Sequence, residues 1–215
     1  MSYRAIVFDW DGTIIDSAST ITDCICEAAR DMGLPVPERE RASHVIGLGL
    51  HESLRIAVPD LPAARTMEFV ALYRKHFLAR EDAMRLFPGM KELILECSKT
   101  HCLAIATGKS RRGLDRALAA SGVGACFAAS RCADETNPKP HPAMLLELMV
   151  ELDASKDEML MIGDTSHDLE MARAAGVDAL AVTYGAHPET GLRACAPLAC
   201  LPDVHSLSQW LTKNA

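Results

Sequence analysis

Short runs of apolar residues that stop at polar or glycine positions recur along the chain, and such runs are typical of buried β-strands. The first covers residues 3–8 and stops at Asp9. Later runs occupy residues 102–106, 159–162 and 179–182, with a weaker one at 125–129. Segments with helical patterning lie between the runs, at 90–98, 110–121, 143–151 and 166–175. This alternation predicts an α/β fold with a doubly wound parallel sheet.

Residues 16–87 interrupt this alternation of strands and helices. Helix-like segments near 18–32, 50–58 and 63–80 are separated by prolines and glycines, and no strand pattern is evident among them. The alternation resumes after Pro88-Gly89. We therefore predict an α/β core formed by residues 1–15 and 88–215, and an all-helical cap formed by residues 16–87, inserted after the first strand. A short helix at 207–211 is predicted to close the core.

The composition favours a packed globular protein and argues against nucleic acid as a partner. Hydrophobic residues make up 49% of the 215 residues and charged residues 24%, which allows one large domain or a domain with a smaller insert. The net charge is −7, and no run of Lys and Arg is longer than Arg111-Arg112. Because nucleic-acid binders normally carry a basic face, we do not expect nucleic-acid binding.

The cysteines and the lengths of the hydrophobic runs predict a soluble, cytoplasmic protein. Eight cysteines are present, none of them in a Cys-x-x-Cys pair, which favours free thiols in a reducing compartment. No apolar stretch approaches membrane-spanning length, and the run at residues 3–8 begins too early to leave room for a signal peptide. We therefore expect no membrane association.

Two acidic residues, Asp9 and Asp11, follow the first predicted strand. Ligands of open α/β sheets bind at the carboxyl ends of the strands, where these two residues stand. Two neighbouring carboxylates repel each other unless a cation or a shared proton lies between them, and oxygen ligands suit Mg²⁺. Asp is also common in turns, so this pair does not by itself establish a site.

The segment Phe8-Asp9-Trp10-Asp11-Gly12-Thr13 resembles the first signature of the haloacid dehalogenase superfamily of phosphohydrolases. The other signatures of that superfamily follow in order: Thr107-Gly108 after the run at 102–106, Lys139 in a proline-rich loop, and Gly163-Asp164 with Asp168 after the run at 159–162. The similarity is closest to the phosphoglycolate-phosphatase-like branch, which has a Rossmann-like core. A helical (C1) cap lies between the first two signatures of that branch, as residues 16–87 do here.

The resemblance implies a Mg²⁺-dependent phosphatase that hydrolyses a small phosphate monoester of the phosphoglycolate or sugar phosphate type. Asp9 would be the nucleophile that forms an aspartyl-phosphate, and Asp11 the general acid and base. In the dehalogenases of the superfamily this second position is not aspartate, so Asp11 favours phosphoryl chemistry. The Mg²⁺ ligands would be the Asp9 side chain, the Asp11 backbone carbonyl and Asp164.

The resemblance also assigns roles to residues around the phosphoryl group. The Thr107 hydroxyl and the Gly108 N–H would donate hydrogen bonds to phosphoryl oxygens. Lys139 would pair with both the phosphoryl group and Asp9, which reduces the repulsion between the two anions. Asp168 would orient Lys139 or the waters of the metal ion.

Two alternatives remain open. A phosphosugar mutase of the β-phosphoglucomutase kind shares all four signatures, but such mutases carry a His and a Lys shortly after the first one, and residues 17–22 contain neither. A non-catalytic, receiver-type phosphoacceptor module also has a doubly wound sheet, but it is shorter and lacks a cap. We expect the partner to be a small phosphorylated metabolite, bound by a monomer or homodimer. His44 and His51 of the cap are interpreted as surface residues, and no cap residue is identified as selecting the substrate.

Overall fold

A computed structural model describes residues 3–215, so Met1 and Ser2 of the predicted core segment lie outside the described residues. A parallel sheet with the strand order β3-β2-β1-β4-β5-β6 forms its centre. The strands are β1 (Ala5–Phe8), β2 (Cys102–Thr107), β3 (Phe127–Cys132), β4 (Met159–Gly163), β5 (Asp178–Val182) and β6 (Ala199–Leu201). Strand β1 lies between β2 and β4, so the ends of these three strands meet at one edge of the sheet.

Helices cover both faces of the sheet, which confirms the predicted doubly wound α/β fold. They are α5 (Met90–Cys97), α6 (Arg111–Ser121), α7 (Ala143–Glu151), α8 (Ser166–Ala175), α9 (Glu189–Ala194) and α10 (Val204–Asn214). Alternate residues of β1 face opposite sides. Ile6 and Phe8 pack in a cluster with residues of α5, α6 and α10, and Val7 packs in a second cluster with residues of α7, α8 and α9.

Four helices lie between β1 and α5 and form a third hydrophobic cluster of their own. They are α1 (Ala18–Asp31), α2 (Arg39–His44), α3 (Leu50–Ala57) and α4 (Thr66–Glu81). This separate cluster supports the division into a core and a cap with boundaries at residues 16 and 88, which we retain as a proposal. From here on, "cap" refers to residues 16–87.

The structure differs from the sequence prediction in several short elements. The third strand runs over Phe127–Cys132 and not 125–129, because Gly124–Cys126 forms a 3₁₀ turn and the strand continues through polar residues. Such residues are tolerated here because β3 is an edge strand, and Arg131 pairs with Glu147 of α7. Helices α2 and α9 and strand β6 were not predicted, and the last helix extends well beyond 207–211 on both sides.

Two further features concern the thiols and the helix lengths. All eight cysteines, which lie within residues 3–215, are free. Among the helices of the described residues, none combines the length and the apolar character that crossing a bilayer requires.

Candidate active site

The side chains that end the central strands converge at the carboxyl edge of the sheet. Asp9 directly follows β1, Asp164 directly follows β4, and Thr107 is the last residue of β2. The Asp9 N–H donates a hydrogen bond to the Ile162 carbonyl at 2.9 Å, which continues the strand pairing into the site. All three side chains are buried, so the edge is a closed site and not a solvated rim.

Three carboxylates form the centre of this site. Asp9, Asp164 and Asp168 each offer one oxygen, and these oxygens all lie within 4.8 Å of one another. Burial raises the pKa of Asp9 to about 7, against an opposing effect of Lys139. Burial and the charges of Asp9 and Asp168 raise the pKa of Asp164 well above its usual range. If all three carboxylates are ionised, their negative charge exceeds the single positive charge of Lys139, so a further cation is needed.

The Lys139 ammonium lies between two of the carboxylates. Its Nζ atom is 2.7 Å from Asp9 Oδ1 and 2.6 Å from Asp168 Oδ1, and the side chain is fully buried. Burial alone would lower the pKa of Lys139, but the charges of Asp168 and Asp9 raise it above its ordinary value. Lys139 is therefore a fixed positive charge beside Asp9.

The remaining carboxylate oxygens differ in how they are held. Asp164 Oδ1 accepts a hydrogen bond from the Thr13 hydroxyl at 2.8 Å, and Asp164 Oδ2 accepts one from the Ala186 N–H at 2.7 Å. Asp9 Oδ2 is buried and has no hydrogen-bond donor among residues 3–215. A buried carboxylate oxygen without a donor, close to a second, oriented carboxylate, fits a hard divalent cation such as Mg²⁺.

Gly12 allows the loop after β1 to approach this cluster. Its φ angle is +83°, a conformation that glycine adopts without strain, and a Cβ atom at this position would overlap the Asp164 carboxylate. The glycine of the first signature is therefore required by the close packing of this loop against Asp164.

The Asp11 side chain is held apart from the three-carboxylate cluster. Asp11 Oδ1 accepts a hydrogen bond from the Ser17 hydroxyl at 2.8 Å, and both Asp11 oxygens lie 3.0 Å from Lys109 Nζ. Lys109 also lies over the ring of Phe77 in the cap, 4.8 Å from its centroid. Lys109 was not among the predicted site residues, although its position directly after Thr107-Gly108 is a signal that could have identified it.

Thr107 and Gly108 lie where the cap meets the core. Thr107 is buried, and its hydroxyl oxygen accepts a hydrogen bond from the Lys109 N–H at 3.2 Å, which leaves the hydroxyl proton available for donation. A Cβ atom at Gly108 would lie 2.6 Å from the Gly47 carbonyl oxygen and 2.9 Å from that of Leu48. The cap therefore closes directly over this loop, and only glycine fits at position 108.

Asp168 also stabilises the start of α8. Its Oδ2 atom accepts hydrogen bonds from the Thr165 N–H at 3.1 Å and the Thr165 hydroxyl at 2.6 Å. The Asp168 N–H in turn donates to the Thr165 hydroxyl oxygen at 3.4 Å, which completes a capping box. Because its Oδ1 atom pairs with Lys139, Asp168 connects the helix terminus to the fixed ammonium.

Three histidines join the cap to the core beside this site. The backbone carbonyl of His44, in the cap, accepts hydrogen bonds from Nε2 of His167 at 2.8 Å and Nε2 of His187 at 3.0 Å. Burial lowers the pKa of His167, and burial together with His167 lowers that of His187 to about 4. The Ser166 N–H donates to His187 Nδ1 at 3.0 Å, so both ring nitrogens of His187 are engaged and it is not free to bind a metal ion. His187 was not among the residues that the sequence pointed to.

A divalent cation is expected to raise the melting temperature more at about pH 8 than at about pH 5. The unperturbed pKa of Asp9 is 3.8, and burial raises the pKa to about 7 in the folded chain. The stability that this group contributes is therefore full below its unperturbed pKa and lost as the pH rises through about 7. A bound cation favours the ionised carboxylate and offsets that loss. Melting curves with and without MgCl₂ at both pH values test this, and an equal effect at the two would contradict it.

Comparisons with known proteins identify the family to which this chain is similar. The model of a family described as haloacid dehalogenase-like hydrolase matches residues 6–182. A probable phosphatase, IndB of Dickeya dadantii, is 35% identical, over 89% of this chain and 86% of the relative. The phosphoglycolate phosphatase of Photorhabdus laumondii is 31% identical, over 85% of this chain and 81% of that protein.

One relative is named as a kinase, and one solved structure is similar to this chain in fold. Tyrosine-protein kinase PtkA of Mycobacterium tuberculosis is 32% identical over 86% of this chain, which covers 63% of that protein. The crystal structure of a hydrolase from Pseudomonas syringae has a TM-score of 0.89 and 21% identity, and the match covers 99% of both chains. At that identity the likeness supports the fold alone.

Proposed function

This chain belongs to the haloacid dehalogenase-like hydrolases and is a phosphatase, and on that basis we propose that it hydrolyses small phosphate monoesters with Mg²⁺, through an aspartyl-phosphate on Asp9. The observation that carries the proposal is the Asp9 carboxylate. One of its oxygens pairs with Lys139, and the other is buried without a hydrogen-bond donor among residues 3–215. That second oxygen is therefore available to a ligand that the chain itself does not supply.

In the first step, a carboxylate oxygen of Asp9 attacks phosphorus and the bond from phosphorus to the ester oxygen breaks. Asp11 gives a proton to the departing alkoxide. In the second step, Asp11 takes a proton from water, and the oxygen of that water attacks phosphorus. The bond to Asp9 breaks, which releases inorganic phosphate and restores the carboxylate.

Asp9, Asp164 and the Asp11 backbone carbonyl are the proposed Mg²⁺ ligands. When bound, the ion supplies positive charge against the phosphoryl oxygens and against the carboxylates themselves. Thr13 and the Ala186 N–H hold both oxygens of Asp164 in fixed directions, at 2.8 and 2.7 Å. The Asp164 carboxylate is therefore oriented before any ligand arrives, which limits the cost of reorganisation.

Three groups of the chain are proposed to bind the phosphoryl oxygens: the Thr107 hydroxyl, the Gly108 N–H and the Lys139 ammonium. Each is positioned by a contact within the chain, Thr107 by the Lys109 N–H, Gly108 by the close approach of Gly47, and Lys139 by Asp168. Preorganised donors of this kind stabilise the charge that develops in the transition state.

The Asp11 carboxylate is directed by Ser17 and Lys109, which contact it at 2.8 and 3.0 Å. Lys109 must loosen its contact with both oxygens when Asp11 takes up a proton. A phosphate group that enters the site offers this ammonium another anionic partner. We therefore include Lys109 among the residues that prepare Asp11 for its role as acid and base.

The proposed function is tested by measuring inorganic phosphate released from a panel of phosphate monoesters, with MgCl₂ and with a chelator. Multiple turnovers that need Mg²⁺ are expected. Accumulation of a phosphosugar isomer would favour a mutase, and accumulation of phosphorylated protein with ATP would favour a kinase, as the name of one relative suggests. Either outcome without free phosphate would contradict the proposal.

Thr13→Val is expected to weaken Mg²⁺ binding by about 10- to 100-fold, because it removes a partner that orients a metal ligand. The Thr13 hydroxyl is the donor to Asp164 Oδ1. The apparent dissociation constant is measured from phosphate release against MgCl₂ concentration. Thr22→Val is the matched control, since Thr22 is a buried threonine whose hydroxyl donates to Ala18 within the cap. Equal Mg²⁺ dependence in the two variants would contradict the role of Thr13.

A further inference from the structure

A cavity of about 200 Å³ extends from the candidate active site into the cap. Asp9, Asp11 and Thr107 line its core end, and helices α1, α3 and α4 line its other end. An engineered cavity of roughly 150 Å³ is large enough to bind benzene. The cavity therefore has room for a phosphoryl group at Asp9 and a compact, ring-sized organic group behind it.

The walls at the cap end are mainly apolar. Ile21 and Ile25 of α1, Leu54 of α3, and Phe69 and Phe77 of α4 face this space. They also belong to the hydrophobic cluster of the cap, so the cavity is a gap within that cluster and not a polar cleft beside it. Transfer of an apolar group from water into this apolar space would be favourable.

Polar groups in the wall are largely used by the chain itself. The Ser53 hydroxyl donates to the Gly49 carbonyl at 3.0 Å, the Ser110 hydroxyl accepts from the Gly113 N–H at 3.3 Å, and Lys109 pairs with Asp11. A sugar placed in this space would bury several hydroxyl groups without partners, and unpaired buried polar groups are unfavourable. The wall therefore discriminates against polyhydroxylated substrates.

Tyr73 is a polar residue of the cap-end wall. Tyr73 lines the cavity with its ring stacked on Phe77, 6.0 Å between centroids, and its hydroxyl makes no hydrogen bond within residues 3–215. Burial raises the pKa of Tyr73 above its ordinary value, so the hydroxyl remains a donor. This hydroxyl can donate to an acceptor on an otherwise apolar organic group.

Two arginines also contribute to the lining and allow a different substrate to be considered. Arg116 is paired with Glu81 at 3.3 Å, and Arg74 is exposed on α4. A carboxylated substrate such as phosphoglycolate would need one of these cations. Both arginines are exposed, whereas the apolar residues at the cap end of the cavity are buried. The cap end of the cavity therefore favours an uncharged group.

Resting on the proposed function, we propose that the substrate of this site is the phosphate monoester of a mainly apolar, ring-sized alcohol, whose organic part enters the gap between α1, α3 and α4. Sugar phosphates and phosphoglycolate do not belong to this proposed substrate class.

The test compares kcat/KM, with MgCl₂, for benzyl phosphate, glucose 6-phosphate and phosphoglycolate. All three are esters of alkyl alcohols, so the intrinsic difficulty of releasing the alcohol differs little. A value at least about tenfold higher for benzyl phosphate is expected from apolar contacts in the cavity. Equal or higher values for either polar substrate would overturn the substrate class and leave the proposed function intact. Release of phosphate from none of the three would instead contradict the proposed function and the inference with it.

A cavity-filling variant provides a second measurement. Ala57→Leu adds bulk to a buried position of the lining, and is expected to lower kcat/KM more for benzyl phosphate than for methyl phosphate. Ala71→Leu, the same change at an exposed position of α4, is the control and is expected to change neither value. Equal losses for both substrates in a folded Ala57→Leu protein would contradict the placement of the organic group. If that variant does not fold, the comparison of substrates on the unmodified chain still decides the proposal.

Discussion

Asp9→Asn is expected to lower kcat by at least about 10⁴-fold, because an amide cannot form the acyl phosphate. The fold should be retained, since Asn has nearly the same shape and Lys139 keeps its contact with Asp168 at 2.6 Å. Burial raises the pKa of Asp9 to about 7, so a neutral side chain here also avoids the cost of a buried charge when no cation is bound. Phosphate release and thermal melting without metal measure the two effects.

The control for this substitution is Asp157→Asn, which makes the same chemical change at a side chain that is 79% exposed. It should leave both turnover and melting temperature unchanged. Mass spectrometry of the Asp9→Asn preparation excludes protein that has deamidated back to aspartate. Steady-state activity in a preparation free of such protein would remove Asp9 from the role of nucleophile.

Asp164→Asn is expected to lower turnover on the order of 10³-fold or more, because a catalytic metal ion contributes several kcal/mol of charge stabilisation in the transition state. The carboxylate is already directed by Thr13 and Ala186, so the substitution removes charge from an oriented ligand position. The rise in melting temperature caused by MgCl₂ should disappear as well.

The two readouts for Asp164→Asn separate a metal ligand from a structural residue. A structural role would lower the melting temperature and leave the effect of MgCl₂ on it unchanged. Loss of a metal ligand would instead leave the melting temperature without metal unchanged and abolish the effect of MgCl₂. Asp157→Asn again provides the matched control at an exposed position. A full response to MgCl₂ in the Asp164→Asn protein would contradict its assignment as a ligand.

The core strands could be predicted because a buried parallel strand leaves a simple pattern. Strands β1, β2, β4 and β5 are short apolar runs that end at polar or glycine residues. Strand β6 and helix α9 have three and six residues, too few for a periodic pattern to appear. Strand β3 contains Ser130 and Arg131. An edge strand tolerates such polar residues, but they interrupt the apolar run by which a buried strand is predicted.

The residues of the candidate site were predictable to different degrees. Asp9 and Asp164 each follow an apolar run, and the resemblance to a known superfamily supplied the expectation that they meet. Lys109 and Thr13 depend on contacts between segments far apart in the chain, at separations of 98 and 151 residues. The position of Lys109 directly after Thr107-Gly108 indicates that it lies near the site, but no local pattern encodes which residue it contacts.

The contribution of the cap to the cavity and to substrate selection was the least predictable part of the structure. Its apolar residues have the same helical spacing whether they fill a closed core or line a cavity, so periodicity alone does not distinguish Phe69 or Phe77 as cavity residues. The same holds for the close approach of Gly47 to Gly108, which depends on how the cap lies on the core. Substrate selection is therefore the property for which the structure adds most.

The central claim, that Asp9 carries the phosphoryl group, is tested most directly by trapping the intermediate. In Asp11→Asn protein with p-nitrophenyl phosphate, the leaving group needs no proton, whereas the water of the second step lacks its base, so the aspartyl-phosphate should accumulate. Acid quenching, borohydride reduction and peptide mass spectrometry then convert and locate it. We predict homoserine at position 9 only when substrate and Mg²⁺ are both present. Homoserine at another aspartate, or release of nitrophenolate with no modified residue, would contradict the account.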